Sequence, residues 1–250
     1  MIKCIISDLD GTLLSKNNQM GGMAIHPEDV AAVKRWEDSG GLFAVATGRD
    51  YGFAEPLEHD HGIIADFVAS NGGAIYIDEQ VIHKRPIPGD VVVKFLQRLH
   101  SLPSKVDYLA NLEGLQKLCD DDPGSFYNAR VKHSPNGSYT TKEYIALDEK
   151  PGAYKISVNV RNMQDKPAYW DLLNAEFATE LTITSSGRTF LEVNGDEDND
   201  LTMLQAFKYS FAMASGNPVV IETARYVVGS VREMIDMCFK MNGENNAREL

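Results

Sequence analysis

The chain has 250 residues, 43% hydrophobic and 24% charged, the balance of a soluble globular protein with room for one or two domains and a sizeable core. A formal net charge of −12 argues against nucleic acid and anionic membrane as partners. No run of about 18 apolar residues is present to span a membrane, and the apolar opening Met1–Ile6 meets Asp8 too soon for a signal peptide. Three widely spaced cysteines, Cys4, Cys119 and Cys238, fit neither a disulfide framework nor a zinc site, which suits a reducing cytoplasm.

Ile2 to Ser7 is a continuous apolar run of strand length, the pattern of a strand buried on both faces, with Cys4 as core packing. Pro27-Glu28-Asp29 opens a helix: proline suits its first turn and the acids favour its positive end. Val30, Val33 and Trp36 give it an apolar face, and Gly40-Gly41 stops it. Leu42 to Ala46 predicts a second strand ending at Thr47-Gly48-Arg49, and Phe67 to Ala69 a third ending at Ser70-Asn71-Gly72-Gly73. His59-x-His61 before Gly62 reads as an exposed helix end. Strands alternating with helices predict an α/β fold with a doubly wound parallel sheet, whose ligands bind beyond the carboxyl ends of the strands. Asp8, Thr47 and Asn71 fall at those ends.

From about residue 81 the texture changes. His83 to Gly89, with Pro86 and Pro88, reads as a linker. Helices are expected over Asp90 to His100, Asn111 to Cys119 and Lys166 to Phe177. Lys155 to Val160 alternates like a half-exposed strand, and Leu181–Thr184 with Thr189–Val193 suggests a hairpin turning at Ser186-Gly187. A second, α+β domain over 81–190 is thus expected, inserted into a first formed by 1–80 and 191–250. The first resumes near Gly195 with a helix over Leu201 to Phe207 and a strand at Phe211 to Met213.

Asp8-Leu9-Asp10-Gly11-Thr12 follows the first strand directly. Residues two apart on an extended backbone project to one side, so both carboxylates can face one pocket. Adjacent acids repel unless a cation lies between them, which suits one ionised carboxylate as nucleophile and metal ligand and one protonated carboxyl as acid. Gly11 permits a sharp turn whose N–H groups can hold phosphate oxygens. The competing reading is a strand ending in a solvated acidic turn. Gly195-Asp196-Glu197-Asp198-Asn199-Asp200 is a second acid cluster, either hard oxygen ligands for Mg²⁺ or an acidic helix start. Thr47-Gly48-Arg49 offers a hydroxyl, a flexible turn and a cation, the parts of a phosphate cradle, while Asn71-Gly72-Gly73 reads as a turn.

These strings, in this order, resemble the haloacid dehalogenase-like hydrolases, and Ala69-Ser70-Asn71-Gly72-Gly73 before a large insertion resembles the Cof-like branch, with its inserted α/β cap domain. The resemblance implies a Rossmann-like core and a Mg²⁺-dependent phosphatase acting on a small phosphorylated metabolite such as a sugar phosphate. Asp8 would be the nucleophile and form an aspartyl-phosphate. Asp10 would be the acid and then the base, with its carbonyl on the metal. Thr47, Gly48 and Asn199 would bind phosphate, and Asp196 and Asp200 would complete the metal site with Asp8 and Asp10. One departure stands out. The family's lysine-bearing helix and following strand need on the order of 25 residues before the second acid cluster, yet Phe190–Val193 runs almost directly into Gly195-Asp196. Either that segment is missing, or Phe190–Val193 has been recruited into the core sheet, with Arg49 either a substitute cation or the partner of a surface acid. The departure motivates an alternative, a weakly active or inactive phosphate-binding protein, and a phosphomutase of the same fold is a further reading. Lys84, Arg85, Arg130, Lys132 and His133 form either a substrate-facing group or a solvated basic face.

Overall fold

The computed structural model describes residues 1–14, 24–127, 131, 136–195 and 207–246. The chain forms two compact units, one of residues 1–69, 76–80 and 198–250, the other of 70–75 and 81–197.

In the first unit, β1 (Cys4–Asp8), β2 (Leu42–Ala46) and β3 (Asp66–Ala69) are parallel neighbours, and Asp8 aligns with Ala46. The sheet order continues into β4 (Ala74–Ile77) and β5 (Gln80–Lys84), along which the chain passes between units. Two helices cross between the parallel strands, α1 (Pro27–Asp38) and α2 (Ala54–His61). Proline starts α1, and the Glu28 N–H donates to the ring of His26. After α1, a side chain at Gly41 would collide with the Trp36 indole at 2.3 Å, so only glycine lets β2 begin so close to that ring. Gly62 closes α2 in the left-handed conformation (φ +61°).

The unit's carboxyl-terminal part contributes β12 (Phe211–Met213) and β13 (Tyr226–Val228), a parallel pair, with α6 (Pro218–Thr223) between them and α7 (Val231–Asn246) after them. Helix α7 lies on α1. The Trp36 and Phe239 rings meet edge-on at 5.2 Å, Arg35 pairs with Asp236, and Arg232 with Glu28. Buried Asp29 accepts from the Arg232 N–H at 2.6 Å, capping the positive end of α7.

The second unit is a six-stranded sheet in the order β10-β11-β9-β6-β7-β8. Its strands are β6 (Val106–Leu112), β7 (Lys117–Cys119), β8 (Ser138–Thr140), β9 (Ala153–Val160), β10 (Thr182–Ser186) and β11 (Phe190–Asn194). The helices of this unit are α3 (Gly89–His100), the short α4 (Thr141–Ile145) and α5 (Lys166–Phe177). Period-two alternation sorts the sheet's faces. Ile156, Val158 and Val160 join Tyr108, Leu191 and Val193 in one core with Phe95, Leu96, Leu173 and Phe177. The opposite face carries Lys155, Ser157 and Asn159 of β9 with Asp107 and Asn111 of β6 in register.

Several expectations need correction. Asn111–Cys119 is not a helix: β6 ends there, Gly114 (φ +74°) and Leu115 (φ +61°) turn, and β7 begins. Leu112, Leu115 and Leu118 imitate a helical spacing of three, but pairing with neighbouring strands decides the conformation. His83 and Lys84 belong to β5 and not to a linker. β1 alternates in burial and Cys4 is exposed, because β1 is the outermost strand of its sheet among the described residues. β11 pairs with β10 and β9 inside the second unit, so it has not been recruited into the first sheet, and an expected domain boundary at 190/191 would cut through it. The helix expected over Leu201 to Phe207 falls mostly outside the described residues, as do Arg130, Lys132 and His133. Among the described residues, no helix is long and apolar enough to cross a membrane.

Candidate active site

Asp8 is the last residue of β1, and the chain folds back at once behind it. Leu9 and Leu13 are fully buried and anchor the turn. The Leu13 N–H donates to the Asp8 carbonyl at 3.3 Å and the Leu14 N–H to that of Leu9 at 2.7 Å. Gly11, at φ +97°, takes the sharpest part of the bend, and its N–H donates to the Leu14 carbonyl at 2.9 Å. That amide is therefore committed within the turn and is not available to a phosphate. The outcome is an ordered loop with Leu9 inward and the flanking Asp8 and Asp10 exposed at the carboxyl end of the sheet.

Two neighbours orient these acids. The Thr12 hydroxyl donates to Asp8 Oδ2 at 3.0 Å. Arg49 grips Asp10 through two parallel bonds, Nε to Oδ2 at 2.8 Å and Nη2 to Oδ1 at 2.6 Å, while its guanidinium lies 4.3 Å over the Phe53 ring. Asp10 thus has a cation partner in an arginine from the loop after β2. Buried Thr47 is fixed by its N–H on the Val68 carbonyl at 2.9 Å, and its oxygen accepts the Arg49 N–H at 3.2 Å. This accepting role uses a lone pair of Thr47 and not its O–H, which remains a donor. Gly48 joins the two residues.

The structure therefore assembles Asp8, Asp10, Thr47, Gly48 and Arg49 at the ends of adjacent parallel strands. Asp196, Asn199 and Asp200 lie outside the described residues. Asn71 falls in the second unit: Ser70 and Asn71 adopt positive φ, and the Asn71 amide donates to Glu192 at 2.8 Å, which Lys155 also reaches at 3.2 Å. Gly73 packs so tightly on the Tyr154 backbone that a side chain would lie 2.8 Å from its carbonyl. Sequence reasoning assigned no separate role to Thr12 and left the partner of Arg49 open. The first was legible as the threonine four residues after Asp8; the second joins positions 39 residues apart, and nothing local announces it.

As to a metal, no group of three or more His, Cys, Asp or Glu is placed to hold one among the described residues. Asp8 and Asp10 supply two exposed hard-oxygen carboxylates on one turn, the donor type Mg²⁺ accepts through one or two carboxylates plus substrate and water.

The comparisons agree with this fold. The structure of SMU.1108c from Streptococcus mutans superimposes with a TM-score of 0.77 at 17% identity, covering 96% of this chain and 100% of that one. A haloacid dehalogenase-like hydrolase from Bacillus subtilis gives 0.74 at 20% identity, with 94% and 99% covered. Among curated relatives, a 5-amino-6-(5-phospho-D-ribitylamino)uracil phosphatase of Escherichia coli is 25% identical over 96% of this chain and 97% of its own length. An HMP-PP phosphatase of Serratia proteamaculans is 29% identical over 38% of this chain, a match spanning only 34% of that relative. The family model for haloacid dehalogenase-like hydrolases matches residues 5–194 and 193–234, two stretches that meet where the short connection after β11 begins. With the acid turn, the arginine-bearing loop and the parallel sheet all inside those stretches, the chain belongs to the haloacid dehalogenase-like hydrolase family.

Proposed function

We propose that the protein is a cytoplasmic Mg²⁺-dependent phosphatase that hydrolyses a small phosphorylated metabolite through an aspartyl-phosphate on Asp8. The observation that carries this reading is the pair of exposed carboxylates on one ordered turn, Asp8 held by Thr12 and Asp10 by Arg49. Its relatives' names as phosphatases support it. Asp8, Asp10, Asp196 and Asp200 would hold Mg²⁺, which supplies charge neutralisation so that a carboxylate anion can approach a phosphate anion. Asp8 attacks phosphorus in line as the ester bond breaks, and Asp10 delivers its proton to the departing alkoxide. Asp10 then takes a proton from the water that attacks the aspartyl-phosphate, releasing inorganic phosphate and restoring Asp8. The Thr47 O–H and the Gly48 and Asn199 amides would hold phosphoryl oxygens. Arg49 turns from Asp10 to the phosphate as substrate enters, which frees Asp10 to carry the proton. The second unit, residues 70–75 and 81–197, acts as the cap that selects the substrate.

A second reading, a phosphate-binding protein with little or no turnover, is favoured by one feature. β1 has no strand on its outer side among the described residues, and β11 belongs to the other unit, so nothing described replaces the family's lysine-bearing segment. Release of inorganic phosphate from p-nitrophenyl phosphate and a panel of sugar phosphates separates the two. The phosphatase releases phosphate with Mg²⁺ and stops in excess EDTA. Tight phosphate binding without release would establish the alternative.

A further inference from the structure

A recess lies within the second unit, between α5 and the turn of the β10–β11 hairpin. It is an open hollow of about 450 Å³ lined by Met163, Lys166, Pro167, Trp170, Ser185 and Arg188, a volume in the range of small-molecule sites, ~300–1,000 Å³. Its construction follows from how α5 is tied to the edge strand. The Trp170 indole N–H donates to the Ile183 carbonyl at 2.9 Å, fixing the ring beside β10. Lys166, only 6% exposed, reaches under the hairpin turn and donates to the Ser186 and Gly187 carbonyls at 3.1 and 2.9 Å. Gly187, at φ +52°, makes the turn that presents Arg188.

The charge here runs against the rest of the molecule, which carries 36 acidic against 24 basic residues. Among the described residues no carboxylate pairs with Lys166 or Arg188. Asp165, next in sequence to Lys166, turns its carboxylate to Ser104 and Asn162 at 2.7 and 3.1 Å. A buried ammonium with carbonyl partners only is under-compensated, and burial depresses its pKa accordingly. Beside these cations stand two large apolar side chains left open to solvent, Met163 at 52% and Trp170 at 39% exposure. Charge and apolar surface together define one kind of occupant. A guanidinium recognises carboxylate or phosphate bidentately, and an indole and a thioether receive a flat hydrocarbon face.

We propose that this recess binds a small organic anion with a planar apolar body, its acid group on Arg188 and Lys166 and its ring against Trp170 and Met163. The site is built entirely from the second unit and uses none of the residues assigned to phosphate hydrolysis, so it stands or falls apart from that reading. The test uses the full chain without Mg²⁺, titrated with 2-naphthoate and, in parallel, uncharged 2-naphthol. The two indole N–H resonances of the ¹⁵N-labelled protein are followed, that of Trp170 being assigned by its loss in Trp170→Phe. Naphthoate is expected to shift the Trp170 resonance saturably with Kd on the order of 1 mM or tighter, leaving Trp36 unmoved and naphthol much weaker. Arg188→Ala, on an exposed turn, weakens binding at least tenfold, Lys166→Met does so without unfolding the chain, and Arg188→Lys recovers part of the loss. Equal binding of naphthol, an unchanged Kd in Arg188→Ala, or no saturable shift would overturn the proposal.

Discussion

Both units hold charged groups in close pairs, but they expose them differently. In the first, the side chains of Asp10 and Arg49 are 55% and 33% exposed, on loops at the end of a parallel sheet. In the second, Asp107 is 3% exposed beneath Arg161, which also reaches Asp122, and Lys155 is 8% exposed against Glu192. An exposed pair contributes about 0–1 kcal/mol and can be broken and remade at little cost. A carboxylate as buried as Asp107 is satisfied only by its partners, here Arg161 and the Asn159 amide, so it is locked. The contrast separates two uses of the same chemistry. The acid turn keeps its charges available to a ligand, whereas the polar face of the six-stranded sheet spends its charges on fixing strand against strand.

The sharpest test of that contrast is Asp8→Asn. Phosphate release should fall on the order of 10⁴-fold or more, as expected for loss of a nucleophile, while the thermal midpoint moves by less than about 2 °C. A comparable rate in the variant would sink the nucleophile assignment. Next comes Arg49→Ala, expected to lower kcat/KM by about 10²-fold, the loss typical of a charge-stabilising donor, with stability changed by less than about 1 kcal/mol. Unchanged kinetics would demote Arg49 to a surface ion pair. Asp107→Ala should show the reverse. It leaves Arg161 and Asn159 without their buried acceptor, and urea unfolding is expected to show a loss of about 2 kcal/mol, below the full cost of a broken buried pair because Arg161 is 37% exposed. Its turnover per folded molecule should be unaltered, and a selective loss of activity would erase the distinction between the units.

The sequence made the parallel half of the fold readable because each signal there is local. Apolar runs of strand length end in acid or hydroxyl turns, and Pro27 and Gly62 mark where helices begin and end. The Asp8–Thr12 turn is equally local, which is why its residues could be named in advance. What escaped depends on distant partners. Leu112, Leu115 and Leu118 read as a helix because their spacing says nothing about β9, which claims β6. Phe190–Val193 reads as a strand correctly, but its sheet is decided by Ser157 and Ile156 opposite it. Cys4 looks like core until β1 is seen as the outermost strand of its sheet among the described residues. The Arg49–Asp10 pair joins two turns that only the β1–β2 register brings together.

The clasp between α1 and α7 has a consequence for how the protein is made. Asn242 holds both the N–H and the carbonyl of Ile2, at 2.6 and 2.9 Å, and Arg232 meets Glu28 and Asp29. As the chain leaves the ribosome, the stretch from 81 to 197 emerges without interruption and can complete its sheet early, since domains generally fold as units during synthesis. The first unit must wait, its helix α1 uncovered, until α7 has been translated.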